Sequence, residues 1–180
     1  MVVGGLVSFL YKELSSERDR THERRALLRQ MHSELLIAYN AAKRVRRTLR
    51  ARVGCLSDSE PIHQLRVNAV DYQDQMDLLM DAQFTFEVYA KKAKDRELFF
   101  ARGEALEIEC EKIEGYLNHI IDEYEKTLAS FAGTPPSKLL IELPRLAEFI
   151  GPFRDAKYFK ANFKLAFREV LSALTTASLT

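Results

Sequence analysis

The sequence predicts an all-α protein: an antiparallel helical bundle of three long helices, completed by a short Pro-kinked helix and a C-terminal helix. Three observations carry that reading. Gly and Pro, the strongest breakers of regular structure, number only 7 and 5 in 180 residues, and most of the prolines fall between 135 and 152. Apolar residues recur at steps of three and four over long runs, the period of a helix with one buried face. The connections between those runs are short, which places successive helices antiparallel.

The first stripe is Leu28, Met31, Leu35, Ala38, Ala42, Val45 and Leu49, close to a heptad seam. It stops near Val53-Gly54, where Gly is the residue expected just past a helix terminus. The second helix begins near Pro61, with Ser59 as N-cap and Glu60 in the first turn. Its seam reads Ile62, Leu65, Ala69, Tyr72, Met76, Leu79, Gln83, Phe86 and Ala90, in which Gln83 is the polar exception. Asp71, Asp74, Asp77 and Asp81 fall on the opposite arc, toward water.

A break is expected between Lys94 and Gly103, where Asp95 could cap a new helix. The third helix then carries Leu106, Cys110, Ile113, Leu117, Ile120, Tyr124 and Phe131 inward, ending at the run AGTPPS. A short fourth helix is expected from Pro135 or Pro136, capped by Thr134 and kinked by Pro144. Gly151-Pro152 separates it from a last helix over 154–174, with Phe159, Phe163, Ala166, Val170 and Leu174 buried.

Two domain-level parts are expected. Residues 26–180 form the bundle, whereas 1–25 change character halfway. Val3, Leu6, Val7, Leu10 and Leu14 are apolar, and Ser15 to Arg25 contains no apolar residue at all. A helix polar on every side over three turns is unsuited to burial, so the segment reads as a stalk with an apolar tip. Nine apolar-rich residues are too few for a bilayer core of about 30 Å. Apolar residues with Gly, then Tyr11, Lys12 and a burst of arginines nevertheless follow the grammar of a membrane-helix exit into cytoplasm. An apolar extension upstream of Met1 would complete a span; otherwise the segment lies at a lipid interface, packs on the bundle, or pairs with a second copy.

Charge is distributed unevenly behind a formal net of +1. Residues 1–52 carry 12 Lys and Arg against 5 Asp and Glu, residues 53–130 carry 8 against 17, and residues 131–180 carry 7 against 4. Packing basic against acidic parts would compensate this internally; an anionic partner would do so externally. Two basic stripes stand out: Lys43, Arg44, Arg46, Arg47 and Arg50 on the first helix, and Lys157, Lys160, Lys164 and Arg168 beside Phe159, Phe163 and Phe167 on the last. Cations interleaved with aromatics suit phosphates and bases. The first set also occupies the last turns of a helix, where cations complement the dipole, and phenylalanines at helical spacing ordinarily form core.

Catalytic, cofactor and metal residues are not assigned. A carboxylate-bridged metal in a bundle needs two Glu-x-x-His pairs, which the chain does not supply. Glu107, Glu111, Glu114, Asp122 and Glu125 lie off the third seam, and His119 faces solvent near Asp122 and Glu123. His22 lies in the polar stretch, His32 flanks the first seam where it could be half-buried, and His63 sits opposite the second. Cys55 and Cys110 lack CxxC spacing, which suits a reducing compartment. Phosphate-loop, dinucleotide, nucleophile-elbow and zinc motifs are absent. The expected function is therefore a non-catalytic interaction or structural protein, self-associating or bound to a protein partner, cytoplasmic and attached to a membrane surface through the N-terminal apolar residues. A nucleic-acid binder using the two basic stripes, and a helical enzyme with an unrecognised site, are the alternatives.

Overall fold

The computed structural model describes residues 3–52, 64–67, 69–94, 103–131, 139–151 and 157–179, with side chains described within 18–52, 70–94, 103–127, 143–151 and 157–177. The protein is an all-α bundle. Its elements are α1 (Val3–Arg52), β1 (Gln64–Val67), α2 (Ala69–Ala93), α3 (Gly103–Phe131), β2 (Leu139–Glu142) and α4 (Pro144–Ile150). The C-terminal rod is built from α5 (Lys157–Phe159), a π-helical segment (Lys160–Leu165) and α6 (Ala166–Leu179).

Side-chain contacts fix the helix directions. Arg52 at the end of α1 pairs with Asp71 at the start of α2 at 2.6 Å, while Tyr89 near the end of α2 bonds Glu34 in the middle of α1. Gln83 Nε2 donates to Glu114 Oε1 at 2.7 Å, and Tyr72 meets Tyr124 edge to face, so α2 and α3 also run antiparallel. Arg46 touches Phe159 whereas Arg24 reaches Ala177, which sets the C-terminal rod antiparallel to α1. The rod also packs on α3, closing the bundle.

The expected seams are the core wherever their side chains are described; those of Ala69 and Phe131 lie outside the described side chains. All seven residues of the first stripe are buried, as are Leu106, Cys110, Ile113, Leu117, Ile120 and Tyr124 of the third. Phe159, Phe163, Ala166, Val170 and Leu174 are buried in the last. On α2 the buried set is Tyr72, Met76, Leu79 and Phe86 with Ala82, Tyr89, Ala90 and Ala93, and Asp74, Asp77 and Asp81 are exposed. The polar exception Gln83 is accounted for by its bond to Glu114, made at the edge of the α2–α3 contact.

Two expected helical segments are corrected. Residues 64–67 form β1 rather than the opening of the second helix, which begins at Ala69. Residues 139–142 form β2, antiparallel to β1 with Leu65 opposite Ile141 and Val67 opposite Leu139. Pro144 starts α4 instead of kinking a longer helix. Its ring disfavours helical geometry for the preceding residue, and Leu143 is accordingly extended at φ −126°, ψ 75°. The expected caps Ser59, Thr134 and Asp95 lie outside the described residues, as do Ile62, Gly54 and Pro152.

α4 has seven residues, too few to persist alone, and Leu143 provides no side-chain cap. Glu123 of α3 supplies one from the neighbouring helix: its two carboxylate oxygens accept from Arg145 N at 2.9 Å and Leu146 N at 2.8 Å. An anion at a helix N-terminus also complements the dipole. Glu123→Ala is therefore expected to lower unfolding stability by about 1 kcal/mol, measured by urea denaturation, with Glu123→Asp intermediate.

Candidate functional site

The opposite end of α4 is held by a cation. Arg46, on α1, is only 6% exposed. Its Nε donates to Phe149 O at 2.5 Å and its Nη2 to Gly151 O at 3.0 Å, while the guanidinium lies 4.3 Å from the Phe159 ring centroid. Burial lowers its pKa, with repulsion from Arg50 and Arg47 adding to the effect. The expectation that Arg46 shares the surface with its basic neighbours is thus corrected. Tyr39, Lys43, Arg46 and Arg50 are spaced along one stripe of α1, and Tyr39, Lys43 and Arg46 each meet a ring of the α1–C-terminal contact. Gly151 suits its place because a Cβ there would approach Ala147 O to 3.0 Å.

Beside Arg46 stands a column of rings. Phe167, Tyr39, Phe163 and Phe159 stack in succession with centroid separations of 3.9, 4.8 and 5.1 Å. Lys43 Nζ lies 5.0 Å from the Tyr39 centroid and Lys164 Nζ 5.7 Å from that of Phe159. The two basic stripes, far apart in sequence, therefore flank one aromatic column. The phenylalanines themselves are buried, at 0–3% exposure, and offer no face for a base to stack on. Arg44, Arg47, Arg50, Lys157, Lys160 and Arg168 remain exposed.

Among the described residues the acidic middle of the chain does not neutralise this region through ion pairs. Among the described residues Arg52–Asp71 is the one salt bridge joining segment 1–52 to segment 53–130. Lys91–Glu87, Lys94–Glu107, Lys94–Glu111 and Lys112–Glu109 stay within the acidic part.

A second feature is an open groove of about 400 Å³ between α3, α4 and the C-terminal rod. Tyr116, His119, Arg145, Glu148, Tyr158 and Asn162 contribute to its lining, and Gly115 leaves its middle wide because a Cβ there would meet nothing within 4 Å. The buried Tyr116 hydroxyl has no hydrogen-bond partner among the described residues. Burial raises its pKa, the Glu148 charge adds to that, and Arg46 opposes it. His119 is exposed at the rim, as the sequence implied, and no hydrogen bond joins it to a carboxylate among the described residues. Sequence reasoning missed the groove; the mid-helix Gly115 was the signal available.

The remaining candidates are dispersed. His22 is exposed, and His32 is exposed rather than half-buried, lining a shallow hollow with Leu28, Arg29, Leu174 and Thr175. Cys55 and His63 lie outside the described residues, as does Glu60, which makes with His63 a single Glu-x-x-His pair. Cys110 is buried, which with Glu109 and Glu111 nearby pushes its thiol up to about 12. Among the described residues no three His, Cys, Asp or Glu side chains converge as a metal site, and no helix is long and apolar enough to cross a membrane. Val3, Leu6, Val7, Leu10 and Leu14 fall on the α1 backbone, but their side chains are outside the described set. Comparison with protein-family models, curated proteins and solved structures finds no match.

The Arg46 contacts set a measurable cost. Arg46→Ala strands the Phe149 and Gly151 carbonyls at the end of α4 and uncovers the Phe159 ring, and should cost about 3 kcal/mol in chemical denaturation, whereas Arg46→Lys, which lacks the fork, should recover less than half. A second measurable group is Glu34, which accepts from Tyr89 Oη at 2.5 Å and from Gln30 Nε2 at 2.8 Å. The Tyr89 bond, then that of Gln30, holds its carboxyl below the ordinary carboxylate range. The unfolded chain therefore binds the proton first as pH falls. This contribution to stability is complete above the ordinary range and is lost as pH drops through the lowered folded value. Tyr89→Phe should flatten that acid limb of the stability–pH curve.

Proposed function

We propose that this is a non-catalytic interaction protein, a helical bundle that docks through the apolar start of α1 on the cytoplasmic face of a membrane or on a second copy of itself. The observation that carries the reading is the form of α1. It runs unbroken for 50 residues, about 75 Å at helical rise, yet its first buried side chain among those described is Leu28. From Arg18 to Glu23 every side chain is exposed. Six successive residues pass through the whole circumference of a helix, so none of its faces is covered there.

The bundle buries no side chain of this helix from Arg18 to Glu23, and an apolar end beyond that stretch has its natural use in contact with lipid or protein. Apolar side chains supply affinity in such a contact, and the flanking arginines steer orientation. Deleting residues 1–14 from the full chain tests this directly. Binding to phosphatidylcholine vesicles by flotation, or dimer mass by light scattering, should be lost, with thermal unfolding unchanged. Vesicle binding and mass both identical to the intact chain would refute the reading.

A further inference from the structure

The contact between α1 and the C-terminal rod defines a second surface, separate from the apolar start of α1. Its cations come from both banks: Lys43 and Arg47 from α1, and Lys160, Lys164 and Arg168 from the rod. The stacked column Tyr39–Phe163–Phe159 joins the banks, so their charges share one face. Among the described residues acidic side chains are few on it. α1 has none after Glu34, which turns to Tyr89 on the α2 side, and the rod has none from Lys157 until Glu169, which pairs with Arg168 at 3.3 Å. Among the described residues Lys43, Arg47 and Lys160 form no salt bridge.

Lys43, Arg47 and Lys160, gathered on one face without salt bridges among the described residues, repel one another, and an external anion relieves them. The neighbouring surface distinguishes the kind of anion. Leu36, one heptad before Lys43, is 38% exposed, and Leu165, next to Lys164, is also 38% exposed. A nucleic-acid backbone gains nothing from such side chains, and Phe159, Phe163 and Phe167, the phenylalanines beside these cations, are enclosed in the core. A bilayer surface takes both parts: cations meet headgroup phosphates, and short apolar side chains enter the boundary beneath them. We infer that the seam between α1 and the C-terminal rod is a docking face for the anionic phospholipid headgroups of a bilayer.

The test uses the full chain and vesicles of phosphatidylcholine with and without phosphatidylserine. Phosphatidylserine should strengthen binding, and raising salt should weaken it as the charges are screened. Neutralising Lys43, Arg47 and Lys160 together to Gln should lower affinity for the anionic vesicles on the order of a hundredfold, since each cation contributes several-fold. Neutralising Lys91, Lys112 and Lys126 to Gln removes the same charge from exposed positions on α2 and α3 and should have a much smaller effect. Equal losses in the two variants, or no preference for phosphatidylserine, would overturn the inference. So would a seam variant that binds vesicles normally but no longer retards a short duplex DNA, because the partner would then be nucleic acid. Mass and binding to neutral vesicles, which report the N-terminal segment, should be the same in the seam variant and the intact chain, so this face and the apolar segment fail separately.

Discussion

A single short helix, gripped at both ends, ties this bundle together. α4 lies where α1, α3 and the C-terminal rod meet, and none of its own residues caps it. Glu123 from α3 closes its amide end and Arg46 from α1 closes its carbonyl end. Each clamp has the sign that the helix dipole favours at that end. Arg46 also covers the Phe159 ring, so the same guanidinium that finishes α4 orients the first turn of the rod. A buried cation without a carboxylate partner is costly by itself; here backbone carbonyls and a ring face share its charge.

That arrangement explains which parts of the structure were legible in sequence. The seams were, because burial on a helix follows a period that Leu28 through Leu49, or Leu106 through Tyr124, display without competition. Arg46 was not, because it stands among five other cations within ten residues and shares their composition. Its role depends on carbonyls 103 and 105 residues away, which no local pattern encodes. Glu123 was similarly hidden inside an acidic helix. The strands were misread for another reason. Leu65 fits the three-and-four spacing of α2 and also the pairing position opposite Ile141. Four-residue strands offer too short a window for periodicity to choose between them.

The π-helical segment belongs with the clamped helix. Six residues with the wider turn are an uncommon departure from α geometry and need compensation from their surroundings. Residues four apart lie on one face of the rod. Phe159 and Phe163 can therefore lie almost parallel, at an interplanar angle of 23°, and Tyr39 can enter the stack between Phe163 and Phe167. Ring packing thus supplies the compensation, and the segment keeps its geometry because the column is built around a side chain from α1.

The charged surface is a consequence of that column. Phenylalanines at 159, 163 and 167 must face α1 to stack, and the lysines at 160 and 164 then emerge beside them. On the other bank Tyr39 and Arg46 face inward, so Lys43 and Arg47 are carried to the rim of the same contact. Aromatic attraction and a doubly clamped helix force like charges together, although the acidic faces of α2 and α3 were available elsewhere in the chain. Cation–ring contacts at Lys43 and Lys164 recover part of the repulsion, and the exposed remainder is held in place by the core beneath it. The basic seam is thus fixed by the interior, so substitutions of its exposed cations alter the surface field while leaving the packing that assembles it intact.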